Sequence, residues 1–240
     1  MLILGIDTAA APCCAAVYDT DKQQTLGSFV INNNKLTHSV TLMPVVSDLL
    51  RNSGITTEDI DLFAVANGPG SFTGLRIGIS AVKGMAFAVS KPCAAVSTLE
   101  AMAYNVAMCD GVVCASIDAR CNQVYTATFL NDNGTVTRLT DEECLKADEL
   151  AARLSEYDGD IILVGDGAQL VKKAADEQGI DTRLAPDPLR FQTGYGVCLA
   201  AMNAERIAPE QLMPMYLKLP QAQRELMAKN ADVYKEERKD

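Results

Sequence analysis

A glycine-rich stretch lies between a predicted strand and a predicted helix: Asn67-Gly68-Pro69-Gly70-Ser71-Phe72-Thr73-Gly74-Leu75-Arg76-Ile77-Gly78. The apolar residues 62–66 before it are typical of a buried strand, and the turn precedes Ser71 or Thr73, either of which can cap a helix over residues 73–90. No Lys-Ser/Thr pair follows Gly74, so the P-loop pattern fails, and the glycine spacing is one residue too long for a dinucleotide fingerprint.

The predicted helix is apolar over more than half its circumference, which indicates cover by its own sheet and by a second layer. Its two apolar faces are Leu75, Ile79, Val82, Ala86 and Val89, and Gly74, Gly78, Ala81, Met85 and Ala88. Helical glycines cost about 1 kcal/mol each relative to alanine, so close approach of another backbone is a reason for Gly78 and Gly84. Packing inside the domain and packing against another protein both fit this pattern.

Composition indicates a globular protein. The chain has 240 residues, of which 48% are hydrophobic, enough for one large core or two small ones. No segment is long and apolar enough to cross a bilayer, and the start lacks the basic region of a signal peptide. We therefore expect a cytoplasmic protein that does not bind membranes.

Cysteine and histidine usage limits the chemistry. Eight cysteines occur without a C-x-x-C pair, which favours reduced thiols in the core. His38 is the only histidine, so a histidine-rich metal site or a serine hydrolase triad would depend on it alone.

Charge is distributed unevenly along the chain. The formal net charge is −10, which disfavours a main nucleic-acid-binding surface because phosphate would be repelled. Residues 62–99, however, contain no acid and only three bases, Arg76, Lys83 and Lys91. A segment of this kind suits a protein interface better than an open surface.

The chain divides into two halves with the same predicted order, strand-strand-strand-helix-strand-helix. An aspartate ends the first strand of each half, at Ile6-Asp7 and Ile117-Asp118. We predict an N-terminal domain over 1–108, to which a segment at about 208–227 returns, and a C-terminal domain over 109–207. The charged tail, 228–240, is predicted to be disordered.

Two such halves resemble the α/β superfamily of actin, sugar kinases and Hsp70, whose paired RNase H-like domains have mixed five-stranded sheets. Several motifs resemble the bacterial TsaB (YeaZ) family more specifically, over about residues 1–227. They are Ile6-Asp7-Thr8, His38-Ser39, Gly68 to Gly78, Ile117-Asp118-Ala119-Arg120, Gly165-Asp166-Gly167-Ala168 and Pro214-Met215-Tyr216-Leu217-Lys218.

This resemblance implies a part in making N6-threonylcarbamoyladenosine (t6A) at position 37 of tRNAs that read codons beginning with A. It implies a non-catalytic platform subunit, with no catalytic residues of its own, that works with a TsaD catalytic subunit and a TsaE ATPase. Self-association as a homodimer is the further expectation, and tRNA would be contacted only through the complex.

The hairpins that approach ATP phosphates in sugar kinases contain a glycine, because only glycine allows that proximity. Here they are Asp7-Thr8-Ala9 and Asp118-Ala119-Arg120, and both lack it. No resident cofactor or metal is expected, although ATP or ADP at a subunit interface stays open. A vestigial nucleotide site would comprise Asp7, Asp118, Gly165 and Gly167.

Catalytic relatives carry a metal-binding H-x-x-x-H pair on one helix face. This sequence has His38 and Leu42 there, so one ligand is missing and His38 is expected to cap or pack. Two rival functions remain at this stage: an ATP-dependent small-molecule kinase of the same superfamily, and a metallopeptidase-like protein.

The resemblance also implies that the helices over 38–51 and 73–90 pack against the equivalent pair of TsaD, or of a second copy. The nearly acid-free composition agrees with this. The predicted interface residues are Leu42, Val45, Val46, Leu49, Gly74, Gly78, Ala81, Met85 and Ala88.

Overall fold

The computed structural model describes residues 1–32 and 37–218, which form two mixed β-sheets with helices packed on them. The first sheet has the order β3-β2-β1-β4-β5, in which β1 pairs antiparallel with β2 and parallel with β4. Its strands are β1 Leu2–Asp7, β2 Cys13–Asp19, β3 Gln24–Ile31, β4 Leu62–Gly68 and β5 Cys93–Ser97.

The second sheet repeats this arrangement and adds a strand. Its order is β11-β10-β6-β7-β8, and β9 also pairs with β7, which makes six strands where five were predicted. The four residues of β9, Glu-Cys-Leu-Lys, are too short and too polar to give a strand signal. The strands are β6 Gly111–Arg120, β7 Gln123–Asp132, β8 Thr135–Arg138, β9 Glu143–Lys146, β10 Ile161–Val164 and β11 Arg183–Leu184.

The helices predicted over 38–51 and 73–90 are both present, with ends that differ by at most two residues, whereas one short helix, Asp187–Arg190, was not predicted. Ser71 caps α2, since its Oγ accepts a hydrogen bond from the Gly74 amide at 3.3 Å. The helices are α1 His38–Ser53, α2 Phe72–Ala88, α3 Thr98–Tyr104, α4 Ala147–Leu154, α5 Ala168–Glu177, α6 Asp187–Arg190 and α7 Gly194–Ala201. These elements make two RNase H-like domains, as predicted.

Both faces of the first sheet are covered. Helices α1 and α2 share one buried apolar cluster with β1, β2 and β4, while α7 packs on the opposite face. The predicted division at 109–207 differs from the structure here, because it places α7 with the second half. Glycines allow this close packing: a Cβ on Gly5 would lie 2.5 Å from the Gly194 carbonyl oxygen.

The C-terminal segment runs back along the first half, in the described part of 208–227. Leu212 is fully buried in the cluster under α1 and α2, and Ile207 exchanges two backbone hydrogen bonds with Cys93, each of 2.9 Å. The predicted tail, 228–240, lies outside the described residues.

All eight cysteines are free thiols. Five are buried, Cys109 and Cys121 are exposed, and Cys144 is half-buried. Within residues 1–32 and 37–218, no helix combines the length and the apolar character that crossing a membrane requires.

Candidate functional site

A cleft of about 560 Å³ separates the carboxyl-terminal edges of the two sheets. One wall is the β1–β2 loop and the start of α2; the other is the β6–β7 hairpin and the loop before α5. The cleft is lined by Ala9, Ala10, Ala11, Gly70, Ser71, Phe72, Ile117, Asp118, Ala119, Arg120, Tyr125, Asp166, Met215, Tyr216, Leu217 and Lys218.

Asp7 lies behind this cleft, completely buried. Its Oδ1 accepts a hydrogen bond from the Ala9 amide at 2.7 Å, whereas Oδ2 has no hydrogen-bond partner among the described residues. Burial raises the pKa of the Asp7 carboxyl to about 7, and the charge of Asp166 adds to that rise. A carboxyl that still holds its proton in part of the molecules at pH 7 binds Mg²⁺ less well than one that is fully ionised.

In the second hairpin, two backbone amides are bonded to carboxylate side chains. The Arg120 amide donates to Asp118 Oδ1 at 2.7 Å, and the Asp118 amide donates to Asp166 Oδ1 at 2.9 Å. Arg120, Cys121 and Asn122 have φ values of 65°, 55° and 58°, in the left-handed region that favours glycine. Burial raises the pKa of Asp166.

Internal packing accounts for the glycines of the predicted adenosine loop. Gly165 has φ 99°, and a Cβ on it would lie 1.9 Å from the Ser116 carbonyl oxygen. A Cβ on Gly167 would lie 3.1 Å from the backbone of both Ser116 and Ile117. The loop thus needs glycine to pass β6, so these residues give no separate support for a nucleotide, and nucleotide binding stays a prediction.

His38 holds the first hairpin. Its Nε2 lies 2.8 Å from the Ala10 carbonyl oxygen and therefore carries the proton that it donates. No group of three or more potential metal-ligating side chains occurs within the described residues. His38, the first residue of α1, thus anchors the β1–β2 loop through this hydrogen bond.

Six of the nine predicted interface residues lie inside the chain and cannot supply an exposed side chain. Four of them lie on the buried side of α1 and two on the buried side of α2: Leu42, Val45, Val46 and Leu49, and Gly74 and Gly78. The helical-wheel division was wrong for the two glycines because they face the β1–β2 loop: a Cβ on Gly78 would lie 2.4 Å from Thr8 Oγ1. Of the others, Ala81 and Met85 are half-buried and Ala88 is exposed.

The open surface of the two helices is nevertheless apolar. Val40 and Met43 of α1 are 61% and 47% exposed, and Phe87 of α2 is 67% exposed. A Cβ on Gly84 would meet nothing within 4 Å, so no contact with the described residues explains this glycine. These side chains are missing from the predicted interface, because the apolar stripe of α1 that was predicted to be exposed is the interior one.

A groove of about 620 Å³ runs between α1 and α2. Together with the apolar surface just described, it forms what we call the docking face. The groove is lined by Ser39, Met43, Phe72, Thr73, Arg76, Ile77, Ser80 and Ala81, and it reaches the buried Leu42, which is only 1% exposed.

A strap, residues 213–218, connects the docking face to the second sheet. The Met215 amide donates to the Asn67 carbonyl at 2.8 Å, and the Tyr216 ring stacks on Phe72 with centroids 4.9 Å apart. At the other end, Lys218 Nζ donates to Gln123 Oε1 at 2.8 Å. Phe72 lines both the cleft and the groove. Because Tyr216 of the strap stacks on Phe72, the strap links the cleft to the groove.

Comparison with known proteins identifies the family. A family model described as "TsaD: tRNA N6-adenosine threonylcarbamoyltransferase" matches residues 19–232. The tRNA threonylcarbamoyladenosine biosynthesis protein TsaB of Bacillus subtilis is 31% identical over 93% of this chain and 96% of its own length. The TsaB protein of Escherichia coli is 32% identical over 91% of this chain and 95% of its own length.

A solved structure, YeaZ from Pseudomonas aeruginosa, superimposes with a TM-score of 0.75 at 28% identity. The match covers 90% of this chain and 99% of YeaZ. The likeness therefore extends over both sheets and is not confined to one motif. Sequence and structure together show that this chain belongs to the TsaB (YeaZ) family.

Proposed function

We propose that this protein is a subunit of the machinery that adds the threonylcarbamoyl group to N6 of adenosine 37 in tRNA. Its relatives are named for the biosynthesis of that nucleoside, and the family model that it matches describes the transferase. Its direct partner is a TsaD-like catalytic subunit, and tRNA is reached through that partner because this chain carries a net charge of −10.

The protein has no chemistry of its own in this proposal. Both hairpins facing the cleft lack the glycine that a phosphate would need, and in the second the Arg120 amide already donates to the Asp118 carboxylate. Asp7 is buried with a raised pKa, and His38 is engaged with a carbonyl group. These contacts favour a platform over the kinase and the metallopeptidase.

The observation that carries the proposal is the apolar docking face in an otherwise acidic chain. Exposed apolar surface of this kind marks interaction sites in soluble proteins. We propose that α1 and α2 pack there against two helices of the TsaD-like subunit. A TsaE-like ATPase then joins the complex, and ATP or ADP binds at a subunit interface; a homodimer through the same face competes with the heteromer.

Gly84→Glu tests this arrangement. The position is open, and glutamate favours helix over glycine by about 0.5 to 1 kcal/mol, so the variant should be at least as stable as the wild type. A charge buried in an apolar interface should nevertheless abolish co-purification with the TsaD-like subunit. Affinity capture and a thermal melt of the same preparation give both values.

Ala152→Glu is the matched control, because Ala152 is an exposed alanine on α4 in the second half. It should bind the partner as the wild type does. Normal capture of the partner by a folded Gly84→Glu variant would refute the docking face. Substitution of Gly78 is not informative here, since any side chain would collide with Thr8.

A further inference from the structure

Arg76 occupies a defined position on the docking face. Its Nε donates to the Tyr216 hydroxyl at 3.0 Å, and its Cζ lies 4.0 Å from the centroid of the Phe72 ring. Phe72 in turn stacks on Tyr216 at an interplanar angle of 28°. The guanidinium group is therefore held by the Nε hydrogen bond and by the Phe72 ring, and its two terminal nitrogens are left to bind another group.

No carboxylate within the described residues pairs with Arg76, although its side chain is exposed. The other residues that line the groove are apolar or hydroxyl-bearing, so Arg76 carries the groove's only charge in the described chain. A fixed guanidinium with free terminal nitrogens is suited to bidentate pairing with a carboxylate.

A second copy of this chain cannot easily supply that carboxylate. Residues 62–99, which include α2, contain no acid, and Asp48 of α1 is already paired with Arg51 at 2.6 Å. A symmetric dimer through the docking face would bring an acid-free, positively charged surface against itself. Charge complementarity therefore favours a different protein.

We propose that Arg76 pairs with an aspartate or glutamate on a helix of the TsaD-like subunit, and that this pair selects the heteromer over a second copy of this chain. Tyr216 is then a positioning residue, since it acts by orienting Arg76. The inference rests on the proposed function and adds the chemistry of the partner's surface to it.

A tRNA phosphate is the competing ligand for an arginine fork. The groove around Arg76 is apolar and uncharged apart from it, whereas phosphate-binding surfaces gather several basic side chains. The net charge of −10 also repels nucleic acid. A protein carboxylate fits these surroundings better.

The test is titration of the purified TsaD-like subunit from the same organism against wild-type protein, Arg76→Ala and Arg76→Glu. We expect binding to weaken about tenfold for Arg76→Ala and about a hundredfold for Arg76→Glu. Lys173→Glu, on α5 with a side chain 77% exposed, controls for the change in net charge and should bind normally. Reversing acidic residues of the partner one at a time should identify one that restores binding to Arg76→Glu.

A double-mutant cycle tests the role of Tyr216. Tyr216→Phe keeps the ring stack but removes the acceptor of the Arg76 Nε hydrogen bond. When Arg76 is intact, we therefore expect this substitution to weaken binding of the TsaD-like subunit several-fold. In the Arg76→Ala background the same change should have no effect. An equal loss in both backgrounds would show that Tyr216 acts on the strap alone and not through Arg76.

The outcomes separate the two proposals. If the wild type does not bind the TsaD-like subunit, the proposed function and the Arg76 pair both fall. If the wild type binds and the Arg76 variants bind equally well, the pair alone is refuted. It is also refuted if the variants impair only tRNA binding by the complex, or if Arg76→Ala weakens self-association as much as it weakens the heteromer.

Discussion

Two aspartates that look equivalent in the sequence have different surroundings in the structure. Asp7 and Asp118 each follow an apolar strand at the start of a half. Asp118 is exposed at the cleft, whereas Asp7 is completely buried with Oδ2 unpartnered in the described structure. The cost of burying a charge therefore falls on Asp7 alone.

Replacement of this carboxyl should change how stability depends on pH. Burial raises the folded-state pKa of Asp7 to about 7, above its ordinary value of 3.8. Between these values the folded protein holds a proton that the unfolded chain has lost, so this group lowers the free energy of unfolding as pH rises. Asp7→Asn should gain stability over the wild type by up to about 1.4 kcal/mol per pH unit from pH 5 to pH 7.

Urea unfolding of both proteins at pH 5, 6, 7 and 8 measures this difference. Asp118→Asn, at the exposed equivalent position, corrects for the loss of one negative charge from the surface. Parallel pH profiles for wild type and Asp7→Asn would mean that Asp7 is ionised in the folded protein throughout this range.

Two glycines of α2, Gly78 and Gly84, look alike in the sequence but have different surroundings in the structure. Both interrupt the pattern of this helix, and close approach of another backbone was the predicted reason for each. Gly78 meets Thr8 of the neighbouring loop, whose Oγ1 donates to the Gly74 carbonyl at 2.8 Å. Gly84 faces open space.

Alanine at these two positions should therefore have opposite effects. In Gly78→Ala the new methyl group would lie 2.4 Å from Thr8 Oγ1, which should cost about 1 to 3 kcal/mol through displacement of a buried residue. In Gly84→Ala the methyl group is unobstructed, and the helix should gain up to about 1 kcal/mol.

Chemical unfolding of the two variants gives both values, and each is the control for the other because helix propensity changes equally. If Gly78→Ala were as stable as Gly84→Ala, the close contact between Gly78 of α2 and Thr8 of the β1–β2 loop would be contradicted.

Long, periodic elements were predictable, whereas two four-residue elements, β9 and α6, were not. Helices α1 and α2 have 16 and 17 residues and appear in the sequence by their repeats. The strand β9 and the helix α6 have four residues each and exist because neighbouring elements hold them. No local pattern of four residues distinguishes them from a loop.

At the scale of the whole molecule, thiol accessibility reports the packing of both halves at once. Of the eight cysteines, only Cys109 and Cys121 are exposed, and Cys144 is half-buried. Burial raises the pKa of Cys13 and Cys93 to about 11 and that of Cys114 and Cys198 to about 12, which further lowers their reactivity.

We expect a thiol reagent at pH 8 to modify two cysteines quickly and a third slowly, and the remaining five only after unfolding in denaturant. Mass spectrometry of digested peptides identifies the positions. Rapid modification of Cys14, which is fully buried beside Asp7, would contradict the packing between β1, β2 and α7.

The sequence by itself determined the element order, the duplicated halves and the acid-free segment, since these follow from periodicity, spacing and composition along the chain. It also indicated the missing hairpin glycines, because a residue type can be read directly. Only the tertiary structure decided which apolar face of α1 and α2 is interior, that Asp7 is buried, and that the strap positions Arg76. Those properties depend on distant segments, such as Thr8 against Gly78 and Tyr216 against Phe72, and contacts across the fold leave no periodic trace in the sequence.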